Sequence, residues 1–184
     1  MRALALVVVL AACRPEKVVI PHDHSRPVNP EVNHEIGSSA PDTSVVHARD
    51  GSNVELANLW ASKRVVLVFY MGHWCPHCQK QLGDLNEHQR DFGDSTVIAV
   101  SSDAPDDAGA LKDKLGLVFD VYSDPDLQVI AKWGVADYGA NIAKPATFVI
   151  QPGGQITFKK VGENQTDRPT ADQVIAELRK PSGE

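Results

Sequence analysis

The stretch Val65–Lys80 reads VVLVFYMGHWCPHCQK. Its first six residues, Val65 to Tyr70, form a continuous β-branched and aromatic run. That is the length and composition of a strand buried on both faces, as in a parallel sheet. Directly after it come Cys75 and Cys78, separated by Pro76 and His77. Pro76 suits the first turn of a helix, where its missing N–H has no partner to lose. This predicts Cys75 at or beside the N-cap, under free backbone N–H groups and the positive helix end, which together stabilise a thiolate. Cys78 falls about one turn later on the same face, within disulfide reach. His77 adds a potential cation beside Cys75.

The surrounding patterns extend this reading. Ser44–Ala48 is a short strand candidate, and Asp50-Gly51 a turn. A helix is predicted over Gln79–Arg90, with Leu82 and Leu85 as its apolar positions. Thr96–Val100 is a second buried strand. A helix over Ala108–Leu115 ends at Gly116. Val118–Tyr122 is a third strand. Asp124-Pro125 opens a helix that runs to about Trp133 and stops at Gly134. Thr147–Ile150 and Gln155–Val161 form a hairpin around Pro152-Gly153-Gly154. Thr170 and Gln173 have capping-box spacing at the start of a last helix, to Lys180. Strands alternating with helices, then a hairpin and a helix, predict an α/β fold with a central mixed sheet flanked by helices. The cysteines lie past the C-terminal end of a central strand, where open α/β sheets put their chemistry.

The ends carry different signals. Residues 1–12, MRALALVVVLAA, have a basic second residue, an apolar run and small residues before Cys13. The run is shorter than the roughly 20 residues of a membrane-spanning helix and reads as a secretory signal. Leu10-Ala11-Ala12-Cys13 resembles the lipobox of bacterial lipoproteins, which implies a lipidated Cys13 at the mature N-terminus. An exported protein anchored in a membrane by that lipid, its domain on the periplasmic or extracytoplasmic side, is the expectation. Residues 13–42 hold Pro15, Pro21, Pro27, Pro30 and Pro41 and lack a periodic apolar pattern, as in a semi-rigid tether. His22, His24 and His34 are expected to be solvated there. Residues 43–184 form the folded domain.

Composition sets further bounds. Among 184 residues, 42% are hydrophobic and 23% charged, and the net charge is −6. This is ordinary globular material without the basic stripe that phosphate backbones demand, so nucleic acid is not an expected partner. With Cys13 lipidated, Cys75 and Cys78 are the only other thiols, which excludes a disulfide-stapled scaffold. A structural zinc site would need a second ligand pair. A copper carrier like the membrane-anchored Sco family would need a histidine far downstream, and all seven histidines lie at or before His88.

Trp74-Cys75-Pro76-His77-Cys78 after a buried strand resembles the thioredoxin-like thiol–disulfide oxidoreductases. The wider order of VVLVFYMGHWCPHCQKQLGDL, VIAVSSDAPDDAGALKDKLGL, VYSDPDLQVIAKWGV and KPATFVIQPGGQI is similar to the AhpC/TSA redoxins, or peroxiredoxin-like proteins, over roughly Ser44–Lys180. The resemblance implies a thioredoxin-like fold and a cis-proline at Pro145 facing the cysteine pair. Peroxidatic sites of this superfamily carry P-x-x-x-[ST]-x-x-C and a distant arginine. On this chain the attacking cysteine falls at Cys78, Cys75 takes the Ser/Thr place, Met71 the proline place and Pro145 the arginine place. Three of the four peroxide-binding groups are replaced. The expectation is therefore a dithiol–disulfide oxidoreductase with Cys75 as nucleophile and Cys78 as resolver, and Trp74, Pro76, His77 and Pro145 in support. No cofactor beyond the Cys75–Cys78 pair is expected. Its partners would be thiol or disulfide proteins or a reductant. The alternatives are a thiol peroxidase acting on hydroperoxides through Cys78, and a copper-binding module. Val68 stands where many thioredoxins place a buried acid, leaving Glu55 or a water as the proton acceptor.

Overall fold

The computed structural model describes residues 34–180. The expected signal segment, Cys13 and the expected tether up to residue 33 lie outside the described residues. The strands are β1 (Ser44–His47), β2 (Asn53–Glu55), β3 (Val65–Phe69), β4 (Thr96–Ser101), β5 (Asp120–Ser123), β6 (Ala136–Asp137), β7 (Ile142–Ala143), β8 (Ala146–Ile150) and β9 (Ile156–Val161). The helices are α1 (Leu56–Leu59), α2 (Pro76–Glu87), α3 (Pro105–Leu115), α4 (Gln128–Lys132) and α5 (Ala171–Leu178). Seven strands form one sheet in the order β2-β1-β5-β4-β3-β8-β9. β3, β4 and β5 run parallel, while β8 and β9 add antiparallel on one side and β1 and β2 on the other. The expected mixed α/β sheet with a thioredoxin-like order of elements is what forms.

Strand alternation divides the core in two. Val66, Val68 and Tyr70 face one layer, with Cys75, Cys78, Leu82 and Leu85 around α2, Ala108 and Leu111 of α3, and Val174 and Ile175 of α5. Val65, Leu67 and Phe69 face the other, with Leu56 of α1, Val129 and Ile130 of α4, Trp60, Trp133 and Phe148. Every residue of β3 is buried, so the strand has no polar face, as its composition demands. Among the described residues no helix is long and apolar enough to cross a membrane.

Several boundaries differ from the sequence reading. α2 begins at Pro76 and ends at Glu87, after which the chain tightens into a 3-10 turn over Gln89–Phe92. The helix expected from Asp124 begins only at Gln128, because Leu127 adopts a left-handed conformation (φ 56°). Asp124 still caps it, from outside: its carboxylate accepts from Gln128 N at 3.0 Å and Ile130 N at 2.8 Å. The capping box of Thr170 and Gln173 forms as its spacing predicted.

The last part of the expected tether belongs to the folded unit. Gly37 N donates to Ile156 O, and Ala40 N to Gly154 O, both at 2.7 Å. His34, expected to be solvated, lies 2.7 Å from Lys132 O through Nε2 and tilts its ring onto Trp133 at 5.7 Å.

Candidate active site

Cys75 is extended (φ −83°, ψ 111°) and caps α2, with Pro76 in the first helical turn. Its own N–H donates to Gly72 O at 3.1 Å, so the loop closes on itself before the helix starts. The Cys75 sulfur accepts the backbone N–H of Cys78 at 3.3 Å. This is the helix-start placement predicted from Pro76. Both cysteines are reduced and fully buried.

Burial pushes the Cys78 thiol up, as does its hydrogen bond to the Cys75 side chain, while Arg168 and the Met71 N–H act in the opposite sense. The cysteine face of the site is therefore apolar, with a cation at the edge. Arg168 comes from the segment between β9 and α5. Its Nη1 donates to Gln81 Oε1 at 3.3 Å, and Gln81 reaches Thr147 Oγ1 at 3.4 Å and Pro169 O at 3.5 Å. Buried Gln81 thus ties α2 to β8 and to the segment that presents Arg168.

A second polar cluster lies on the β4 side. Asp103 follows the C-terminal end of β4 and is buried. It accepts from the backbone N of His73 at 2.8 Å (Oδ2), pairs with His73 Nδ1 at 2.8 Å (Oδ1), and accepts from Ser101 Oγ at 2.8 Å. The Ser123 hydroxyl bonds to the Asp103 carbonyl. The bond from Asp103 raises the His73 pKa above the ordinary histidine value. Gln79 Nε2 donates to His73 O, fixing the same loop from α2. At Gly72 an added Cβ would stand 2.5 Å from Trp74 Nε1 and 3.1 Å from Asp103 Oδ1, so a side chain there would push the exposed indole aside and press on the Asp103 carboxylate.

The sequence-predicted residues divide accordingly. Cys75 and Cys78 come together. Pro76 and His77 are exposed on the first turn of α2, and Trp74, the large apolar residue before Cys75, is exposed to 53%. Pro145 is buried immediately before β8, and its neighbour Ala146 pairs with Phe69, so its backbone lies beside the strand that leads to the cysteines. The cis bond expected there is absent: the Lys144–Pro145 peptide is trans. Lys144 N bonds to Val135 O and Gly162 N to Pro145 O, each at 2.7 Å, and an extended trans bond serves both. Pro145 acts as a strand-start proline, where no N–H is required. Glu55 is bonded to Ser44 at the far edge of the sheet and has no place in the site.

Arg168, Gln81, Tyr70, Asp103 and His73 were not singled out from sequence. Only Asp103 left a usable signal, an acid just past a buried parallel strand. Among the described residues no three or more His, Cys, Asp or Glu side chains form a group able to hold a metal ion.

Comparisons with known proteins bear on the family and the fold. The alkyl hydroperoxide reductase E of Mycobacterium bovis is 31% identical over 150 residues, covering 77% of this chain and 96% of the relative. The thiol-disulfide oxidoreductase ResA of Bacillus thuringiensis is 30% identical over 149 residues, covering 79% and 78%. The crystal structure of peroxidoxin BcpB from Mycobacterium tuberculosis superposes with a TM-score of 0.72 at 22% identity, over 80% of this chain and 97% of that one. A buried dithiol at a helix start on a thioredoxin-like sheet is the chemistry of an oxidoreductase. Residues 36–159 match the AhpC/TSA family, and the chain belongs to it.

Proposed function

We propose that this oxidoreductase exchanges disulfides with other proteins, Cys75 attacking and Cys78 resolving. The observation that carries the proposal is the direction of the bonds between the two residues. Cys75 Sγ is the acceptor, taking the Cys78 N–H at the start of α2, and the Cys78 thiol hydrogen-bonded to Cys75 is held protonated. Cys78 also receives Arg168 and the Met71 N–H, but burial and its bond to Cys75 prevail there, which leaves Cys75 as the sulfur fitted to carry negative charge. Attack by the Cys75 thiolate on a substrate disulfide gives a mixed disulfide. Cys78 then attacks Cys75 Sγ, closes the internal disulfide and expels the substrate thiolate. Because both sulfurs are buried, the packing over Cys75 must open before a partner reaches it. The exposed Trp74 indole offers that partner an apolar landing. The lipobox at Leu10–Cys13 supports an anchored, extracytoplasmic setting, and His77 on the exposed first turn supports tuning of the Cys75 thiolate.

One observation favours a second reading, thiol peroxidase. Cys78 stands where the family's attacking cysteine stands, and Arg168 restores a guanidinium beside it, although the usual arginine place holds Pro145. Trapping separates the two. Cys78→Ser accumulates mixed disulfides with proteins at Cys75 if exchange is the reaction. Rapid consumption of hydrogen peroxide with a sulfenic acid formed at Cys78 would establish the peroxidase instead.

A further inference from the structure

His47 closes β1, and its ring lies between two carboxylates from different segments. Nδ1 stands 3.2 Å from Asp50 Oδ1, in the turn that leads to β2. Nε2 stands 3.4 Å from Asp120 Oδ1, at the start of β5. Neither carboxylate depends on His47 for its place. Asp50 Oδ1 accepts from Ser52 N at 3.0 Å and from Ser52 Oγ at 2.7 Å. Asp120 Oδ1 accepts from Lys112 Nζ of α3 at 3.1 Å, and Lys112 also donates to Phe119 O. The His47 side chain is 16% exposed, and its ring meets Tyr122, its cross-strand partner, edge-on at 5.4 Å. Half-buried between anchored groups, the ring has little freedom to turn away. Nδ1 has no aligned hydrogen-bond acceptor, so its relation to Asp50 is one of charge.

The seam beside this ring is short. β1 joins β5 through two residue pairs, Val46 with Ser123 and His47 with Tyr122, and through Ala48 N donating to Val121 O at 3.1 Å. A neutral imidazole has one N–H and one lone pair, and only the doubly protonated ring offers a donor at both nitrogens. In either neutral tautomer a lone pair faces a carboxylate oxygen. Protonated, His47 joins Lys112 to set two cations against two carboxylates. Neutral, it leaves one cation for both.

We propose that His47 is a pH-operated clasp: protonated, it ties the β1–β2 hairpin to β5 by pairing with Asp50 and Asp120 at once, and neutral, it lets that edge of the sheet open. The groups facing it are Asp50 from the turn, Asp120 and Tyr122 from β5 and, across Asp120, Lys112 from α3. Its chain neighbour Arg49 is turned to Asp113. Both carboxylates stay ionised while the histidine titrates. Ser52 lowers the Asp50 pKa, and at Asp120 burial is outweighed by Lys112 and His47. Tyr122, pushed up to about 12 by burial, stays neutral. β5 and β4 stand between this seam and β3, so the clasp opens without unpairing the strand that leads to the cysteines.

Amide hydrogen exchange of the full chain tests the clasp, with the Ala48 N–H as reporter of the seam. Its protection factor, which corrects for the intrinsic pH dependence of exchange, is measured from about pH 5.5 to about pH 8.5, across the ordinary histidine titration. Wild-type protection should fall roughly fivefold as pH rises, the upper end for an ion pair with exposed partners. His47→Gln should remove the step and hold protection near the wild-type value at high pH. Asp50→Asn, whose amide oxygen still accepts from Ser52, should shrink the step by about half. A step of full size in His47→Gln, or wild-type protection that is flat or rises with pH, overturns the clasp. If His47→Gln misfolds by circular dichroism, Asp50→Asn decides alone, and an undiminished step there overturns the clasp.

Discussion

The N–H of Cys78 donates to Cys75 Sγ across 3.3 Å, so the residue that resolves also caps the residue that attacks. The two roles are coupled through one turn of α2. Cys78→Ser keeps that backbone donor and should leave Cys75 attack close to wild type. Cys78→Pro removes it, and should slow alkylation of Cys75 by iodoacetamide several-fold while adding the cost of a misplaced ring. A hydrogen bond to a charged acceptor is worth about 1.5–3 kcal/mol. Equal Cys75 reactivity in the two variants would show that the cap does not stabilise the thiolate.

Arg168 lowers the Cys78 pKa against the upward push of burial. Arg168→Met should therefore slow alkylation of Cys78, measured in a Cys75→Ser background at about pH 8, by roughly tenfold. A rate unchanged by the substitution would assign Arg168 to loop structure alone, through Gln81 and Gln165.

The His73–Asp103 pair makes a stability prediction with a definite sign. The folded pKa of His73 is raised, chiefly by the bond from Asp103. Its contribution is fully present below the unfolded value of about 6.5 and is lost as pH rises through the folded pKa. Urea midpoints of wild type and His73→Gln should differ most near about pH 5.5 and converge above about pH 8.5. A gap that widens with pH would contradict the pairing.

Asp124 is the cap of α4 although three residues precede the helix. Asp124→Ala strips the acceptors from Gln128 N and Ile130 N and should cost about 1–2 kcal/mol, read as a fall in thermal midpoint. Burial raises the Asp124 pKa more than its backbone hydrogen bonds lower it, so Asp124→Asn, which keeps an acceptor without a buried charge, should recover part of the loss. An Asn variant as unstable as the Ala variant would place the stabilisation in the charge.

Leu82 is fully buried on α2 beside the cysteine layer. Leu82→Ala should destabilise by about 2–5 kcal/mol through lost burial and the cavity left behind. A cost below about 1 kcal/mol, from urea unfolding, would mean that α2 collapses onto the sheet and carries Cys78 with it.

The fold was legible because its central strands have no polar face. Val65–Phe69, Val97–Val100 and Phe148–Ile150 are apolar on both sides and admit no exposed alternative. Pro76 fixed the start of α2 and hence the place of Cys75. The short elements α1, β2, β6 and β7 escaped notice, since two to four residues carry no period to read. Leu127 hid the true start of α4, because a left-handed leucine has no sequence signature. The rest of the site was hidden for another reason. His73 and Asp103 meet only through the parallel pairing of β3 with β4, and Arg168 reaches Cys78 from beyond the β8–β9 hairpin. Such meetings belong to topology, and local spacing holds no record of them.

The two-layer core also sorts the chain's three tryptophans. Trp60 and Trp133 are sealed on the face away from the sulfurs, in edge contact at 6.1 Å, with Phe69 and Phe148 around Trp133. Trp74 stands in solvent on the redox side. Emission from the molecule thus has two origins, a blue component from the sealed pair and a red one from the exposed indole of the residue that precedes Cys75. Closing the Cys75–Cys78 disulfide, a short-range quencher, should dim the red component and leave the blue one steady. The protein carries its own redox indicator, with an internal reference shielded behind the sheet.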